Sequence, residues 1–251
     1  MSEPDFAGRV AVVTGGSRGI GAGIAMALAR CGAQVVVNGR DADALARVVR
    51  AIEDGGGQAL AAVANVTDGG ALAELRAQAQ EAFGPVSLLV ANAGGGGRPE
   101  PLAQMSEERW REALETNLTS AFLTLKTFLP AMMEARSGAV VTISSVAGRQ
   151  PSGASAAYAA AKAGLLSLTR QAAAEAAPSG VRVNAVAPSS IVTERMAAQP
   201  ETVRQQIAQG FPLRRLGKVD DVAEAALFLL GEGAGWITGV TLDVAGGRVM
   251  L

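Results

Sequence analysis

From Arg9 to Val244 the chain repeats one pattern: a short run of consecutive apolar residues, then a stretch with apolar residues at helical spacing. The runs are RVAVVT (Arg9–Thr14), QVVVN (Gln34–Asn38), ALAAVANV (Ala59–Val66), SLLVANAG (Ser87–Gly94), AVVTIS (Ala139–Ser144), VRVNAV (Val181–Val186) and VTLDV (Val240–Val244). Strands with one wet face alternate apolar and polar residues, whereas strands covered on both faces read as continuous runs. Between the runs, helices are expected to about Ala29, through Leu45, Val48, Val49 and Ile52, and over 70–83, 156–177 and 219–231. A further long helix is expected over about 106–135, interrupted near Pro130, which lacks a backbone donor. Such alternation builds a parallel sheet, and right-handed crossovers leave a doubly wound α/β sheet of about seven strands, helices on both faces, as the simplest topology. No linker divides the chain, so 1–251 reads as a single domain. The stretch from Pro188 to Gly210 reads as irregular, and a connection that long is often a lid.

Composition narrows the chemistry. A formal net charge of -1 argues against nucleic-acid or anionic-membrane partners. There is no histidine and one cysteine, Cys31, so no metal site is expected and the commonest general base is missing. Acid–base work falls to Tyr, Lys, Asp or Glu. The opening MSEPDFAGR has no signal-like apolar region and no later run is long enough to span a bilayer, so a cytoplasmic location is expected.

Directly after the first apolar run stands TGGSRGIG (Thr14–Gly21), with Gly15, Gly19 and Gly21 in a GxxxGxG spacing. Glycines between a strand and a helix let the backbone approach a pyrophosphate at the helix N-terminus. Arg18 opposes the helix dipole there, which makes sense beside an anion. After the second run, where an NAD site usually carries a carboxylate for the ribose, this chain has Gly39 and then Arg40. Arg18 and Arg40 together therefore favour NADP, with its 2′-phosphate, over NAD.

Residues 156–164 read AAYAAAKAG. Tyr158 is the only tyrosine and Lys162 one of three lysines. Four residues apart on a helix they share a face. A phenol titrates near 10, and a neighbouring ammonium is expected to draw it towards the working range.

These segments resemble the short-chain dehydrogenase/reductase family over nearly the whole chain. TGGSRGIG is similar to its cofactor turn, and NAG (Asn92, Ala93, Gly94) to the turn after its fourth strand. ETNLTSAF contains Asn117, ISSVAG contains Ser145, and YAAAK is its YxxxK; VRVNAVAP and ITG match later segments. The resemblance implies a Rossmann sheet and hydride transfer between a nicotinamide and a carbonyl or secondary alcohol. It implies Tyr158 as proton donor and acceptor, and Lys162 as tuner of the phenol and holder of the nicotinamide ribose. It implies Ser145 as a hydrogen-bonding partner of the substrate oxygen and Asn117 as holder of a proton-relay water. Cofactor contacts are implied at Gly15, Ser17, Arg18, Gly19, Ile20, Gly21, Arg40, Asn65, Val66, Asn92, Ala93, Gly94, Tyr158, Lys162, Pro188, Ile191 and Thr193.

The chain departs from the family in three places. Asn65 stands where an aspartate usually meets the adenine, Ser189 where a glycine usually follows Pro188, and the tail reads DVAGG. The serine puts the lid geometry in question. The substrate pocket is expected from Gly94–Pro101, Gly148–Ala154 and Ser189–Phe211, with Arg98, Glu100, Gln150, Glu194, Arg195, Met196 and Phe211 among its residues. A small carbonyl or alcohol substrate is expected, with a 3-oxoacyl thioester on acyl carrier protein as one option, for which Arg136, Arg214 and Arg215 are the available cations. The alternatives are an NAD-dependent sugar or steroid alcohol dehydrogenase of the same fold, and a cofactor-binding scaffold without turnover. The family resemblance implies a homotetramer.

Overall fold

The computed structural model describes residues 4–96 and 99–250. The strands are β1 (Val10–Val13), β2 (Gln34–Gly39), β3 (Gln58–Val63), β4 (Val86–Ala91), β5 (Gly138–Ile143), β6 (Val181–Pro188), β7 (Ile191–Val192), β8 (Gly217–Lys218) and β9 (Thr241–Val244). Seven of them form one parallel sheet in the order β3-β2-β1-β4-β5-β6-β9, and they correspond to the seven apolar runs, with differences only at their ends. The short β7 and β8 pair with each other.

The helices are α1 (Gly19–Arg30), α2 (Ala42–Asp54), α3 (Gly69–Phe83), α4 (Glu107–Leu114), α5 (Ser120–Glu134), α6 (Ala156–Ala176), α7 (Glu194–Ala197), α8 (Glu201–Gln209) and α9 (Val219–Leu230). Successive strand residues point to opposite faces. Val13, Val37 and Val90 pack in one core with Ile24 and Leu28 of α1, Leu45 of α2 and Leu227 of α9. Val12, Val36 and Leu89 pack in the other with Leu72 of α3, Phe128 of α5 and Ala176 of α6. Both faces are therefore covered, which is why the strands read as unbroken apolar runs. Asp41, Asp68, Ser106 and Ser155 cap α2, α3, α4 and α6, each side chain accepting from a first-turn backbone N–H.

Three expectations change. The long helix is not interrupted at Pro130, which lies inside α5. Pro130 and Lys126, whose carbonyl it leaves unpaired, are both exposed, so water can satisfy that carbonyl. The irregularity comes earlier, as a π turn at Glu115–Thr119 between α4 and α5. The stretch from Pro188 to Gly210 is not irregular either: it carries β7, α7 and α8, anchored by the buried Ile191 and Phe211. No residue of α8 is buried, so it lacks the apolar stripe by which a helix is read from sequence. Ser189 brings no strain. Among the described residues, the only non-glycines with positive φ are Arg136 and Arg214, and the Ser189 N–H donates to Val244 O at 3.2 Å.

Candidate functional site

Strand order reverses between β1 and β4, where crossovers leave the sheet in opposite directions and open a crevice at the carboxyl ends. The turns after these strands are tied together. The backbone N–H groups of Asn92 and Ala93 donate to Thr14 Oγ1 at 3.1 and 3.3 Å. The Asn92 side-chain amide donates to Thr14 O and Gly15 O at 3.1 and 2.9 Å. A Cβ on Gly21 would lie 2.3 Å from Gly15 O, so no other residue fits there without opening the turn. The GxxxGxG spacing thus reflects backbone meeting backbone at the start of α1.

A crevice of about 610 Å³ follows this turn. Gly15, Ser17, Arg18 and Arg40 line it from the turns after β1 and β2, and Asn65, Val66, Ala93 and Gly94 from those after β3 and β4. Asn92 holds the turn from behind. Ile20 packs against the core, and Thr193 lies against Gly19. Ile191 is buried at β7 and lines a separate cavity near the C-terminal segment, as does Phe211. Asn65 Oδ1 accepts from the Thr67 N–H at 3.3 Å, so its acceptor serves the local turn and its amide N–H₂ remains for a ligand. The glycine-tight turn, the N-terminus of α1 and the crevice fit a dinucleotide.

Asp41 also lines the crevice and was not selected from sequence. Its Oδ2 accepts from Arg18 Nη2 at 2.8 Å, so the anion that balances Arg18 is part of this chain. Its position before a helical run was a legible capping signal, but the cross-crevice contact was not.

The second constellation gathers around Gly94. A Cβ there would meet Asn117 Oδ1 at 2.6 Å and Lys162 Nζ at 3.4 Å, which places both side chains against the turn after β4. Asn117 is 1% exposed and sits in the π turn, where its amide donates to Ala113 O and Gly95 O and its Oδ1 accepts from the Gly95 N–H. The π turn opens the helix ladder, and the side-chain amide takes up the Ala113 carbonyl. Lys162 is 3% exposed, and its Nζ donates to Ile143 O at 2.8 Å. Ser145 follows β5 and accepts from the Ala147 N–H at 3.1 Å.

Electrostatics differ from the expectation at Tyr158. Burial pushes its phenol up, opposed only by a hydrogen bond from Ser145. Burial also brings the Lys162 ammonium down to about 8. Lys162 Nζ lies 5.7 Å from the centre of the Tyr158 ring, so desolvation outweighs the attraction of an ammonium for a phenolate. At neutral pH the phenol holds its proton and is set to donate.

A smaller cavity of about 240 Å³ adjoins Tyr158 and Asn117, and it shares Glu112 and Thr116 with the dinucleotide crevice. Neither shared residue was selected from sequence, since both look like ordinary polar helix positions. Glu100 lines this cavity and is ion-paired to Arg109. Arg98, expected here too, lies outside the described residues. Gln150 donates instead to Arg248 O, and Glu194 approaches the Gly19 N–H at 3.4 Å. The three cations considered for a carrier protein do not form one patch. Arg136 precedes β5 and donates to Pro178 O, at the amino end of the sheet. Leu213, beside Arg214 and Arg215, pairs with Gly246 beyond the carboxyl end of β9, and Arg215 is held by Asp221.

Among the described residues no three His, Cys, Asp or Glu are placed to hold a metal, and no helix is long and apolar enough to cross a membrane.

Residues 15–248 match the family model described as enoyl-(acyl carrier protein) reductase. The chain is 43% identical to cis-4-hydroxycyclohexanecarboxylate dehydrogenase of Sinomonas cyclohexanicum, over 96% of this chain and 97% of that one. It is 40% identical to the 3-oxoacyl-[acyl-carrier-protein] reductase of Escherichia coli (strain K12), over 98% and 100%. A 7α-hydroxysteroid dehydrogenase solved with NADH and 7-oxo glycochenodeoxycholic acid superposes with a TM-score of 0.92 at 37% identity, covering 98% of this chain and 96% of that one. With a doubly wound parallel sheet, a glycine-tight dinucleotide turn and a buried Tyr–Lys pair beside it, the chain belongs to the short-chain dehydrogenase/reductase family, oxidoreductases that move hydride between a nicotinamide cofactor and a carbonyl or alcohol.

Proposed function

We propose that this protein is an NADP-dependent reductase of a small ketone, or dehydrogenase of the matching secondary alcohol, with Ser145, Tyr158, Lys162 and Asn117 as its catalytic set. The observation that carries this is the meeting of Asn117 and Lys162 at Gly94, with Tyr158 beside Lys162 and Ser145 near enough to the phenol to favour its ionised form. The nicotinamide supplies the hydride. Tyr158 gives its proton to the substrate oxygen and Ser145 hydrogen-bonds that oxygen as charge develops. Lys162, fixed on Ile143 O, keeps two further N–H donors, one for the cofactor ribose and one for a water beside Asn117. Activity measured across a panel of ketones and secondary alcohols with each cofactor tests the reading; no turnover with any of them leaves a binding scaffold.

A compact cyclic ketone is favoured over a 3-oxoacyl thioester on a carrier protein by the separation of Arg136 from Arg214 and Arg215. The relative acting on a hydroxycyclohexanecarboxylate points the same way. A single domain, a cytoplasmic location and a homotetramer complete the proposal. Trp236, Val240 and Leu242 are exposed beside the outer edge of β9, and Trp110 and Phe122 on α4 and α5, which supports packing of further copies there.

Preference for NADP rests on Arg18, Arg40 and the missing carboxylate at Gly39. Among the described residues Arg40 makes no ion pair, whereas Arg18 is held by Asp41. A hydrogen bond to a charged group contributes roughly 1.5–3 kcal/mol, of which about 1 kcal/mol survives near the surface. The expected ratio of kcat/KM is therefore about 5-fold in favour of NADP if Arg40 acts alone and about 30-fold if the phosphate takes both arginines. Gly39→Asp with Arg40→Ala is expected to invert it. The new Cβ would lie 3.2 Å from Ser17 Cβ, so Ser17 must yield slightly. A wild-type ratio at or below one would remove the phosphate site.

The segment 188–211 is expected to close over bound cofactor. Its ends are anchored by Ile191 and Phe211, while α8 buries nothing. Amide exchange in α7 and α8 should slow when cofactor and substrate bind. Full protection already present in the free protein would show that nothing closes.

A further inference from the structure

We infer that Asp41 is a specificity-determining residue: it holds Arg18 in an ion pair across the cofactor crevice and so restrains this chain's preference for a 2′-phosphorylated dinucleotide. The inference rests on the NADP reading proposed above.

The sequence places Arg18 immediately before α1, where a cation opposes the helix dipole. The compensating anion is Asp41, from the turn after β2, and the two carboxylate oxygens do different work. Oδ1 accepts from the Ala44 N–H at 3.0 Å and caps α2. Oδ2 accepts from Arg18 Nη2 at 2.8 Å. The Ala44 N–H, with Arg18 and Arg47, also holds the carboxyl below its ordinary value, so it is ionised at neutral pH.

Arg18, Asp41 and Arg40 line the same crevice. A 2′-phosphate is close to a dianion at neutral pH. To bind Arg18 it must share the guanidinium with Asp41 or displace it, and in either case it remains near that carboxylate. An unmodified ribose is neutral and faces neither cost. Asp41 therefore acts against NADP and leaves Arg40, which makes no ion pair among the described residues, as the more available phosphate contact. Both partners are largely exposed, with side-chain exposures of 66% and 47%, so the effect is modest and salt-sensitive.

The substitution that isolates the charge is Asp41→Asn, because asparagine caps helices as well as aspartate does. Asp41→Ser, another good cap, is the second variant should the first misfold. Dissociation constants for NADPH and NADH are read by nucleotide fluorescence in wild type, D41N, D41S, R18A and the D41N/R18A double variant, at low and high salt. Adenosine 2′,5′-bisphosphate and 5′-AMP serve as competitors that report the phosphate alone. D41N is expected to shift the NADPH:NADH affinity ratio towards NADPH by about 1.5-fold to fivefold at low salt and less at high salt, and to do so more strongly where Arg18 is present. An unchanged ratio in both capping variants overturns the inference, as does an equal shift without Arg18. A wild type that favours NADH, and binds the bisphosphate no better than 5′-AMP, instead sinks the NADP reading. In that case a D41N shift that depends on Arg18 still supports the role of Asp41.

Discussion

Tyr158→Phe is expected to lower turnover by about 100-fold or more while cofactor binding is retained. The substitution keeps the ring, which lies with Lys162 Nζ 5.7 Å from its centre, and removes only the hydroxyl. The phenol is pushed up by burial and so stays protonated at neutral pH, as a proton donor requires. It is also the chain's only tyrosine, and the chain has no histidine to take over. Ser145 alone can hydrogen-bond the substrate oxygen but does not replace the transferred proton. Steady-state rates in both directions, beside a cofactor titration, check the assignment; near-normal turnover would remove Tyr158 from the chemistry.

Lys162→Met is expected to move activity and stability in opposite directions. Turnover and cofactor affinity are expected to fall, because the proposed ribose contact and the charge near Tyr158 are both lost. The pH optimum for oxidation moves alkaline, since even a weak field favours phenolate. The free protein becomes more stable. Lys162 is 3% exposed, and burial lowers it from its ordinary value of 10.5 to about 8. The unfolded chain therefore binds more protons between pH 8 and 10.5, and folding stability rises with pH across that window. Below pH 8 the full cost of a buried ammonium is present, on the order of 3 kcal/mol at 1.36 kcal/mol per unit. Loss of the bond to Ile143 O offsets part of the gain. Thermal unfolding of the cofactor-free proteins should show the variant ahead at pH 7 and the gap closing towards pH 10. A variant less stable at pH 7 would mean that the lysine is held mainly for structure.

Local pattern made much of this protein legible. Seven continuous apolar runs became seven parallel strands because both faces of the sheet are covered, and the cores around Val12 and Val13 are the two sides of that statement. The glycine turn was legible because its constraint lies within a few residues: Gly21 must meet Gly15. The Tyr158–Lys162 pair was legible because helical geometry alone puts them on one face.

What sequence left open depends on groups far apart in the chain. Asn117 lies in a π turn that a long amphipathic pattern does not announce, since the side chain that repairs the opened ladder also serves the turn after β4. Asp41 met Arg18 only through the crevice, across 23 positions of sequence. The shift of Tyr158 was expected in the wrong direction because spacing reveals a neighbouring charge but not how much water is lost, and here burial outweighs it. The sequence by itself determined the sheet, the glycine turn and the placing of Tyr158 and Lys162 on one helix face, because each is set by near neighbours and hydrophobic period. Only the tertiary structure decided the protonation of that pair and the freedom of the arginines, because desolvation and long-range ion pairing exist only once the chain has closed around them.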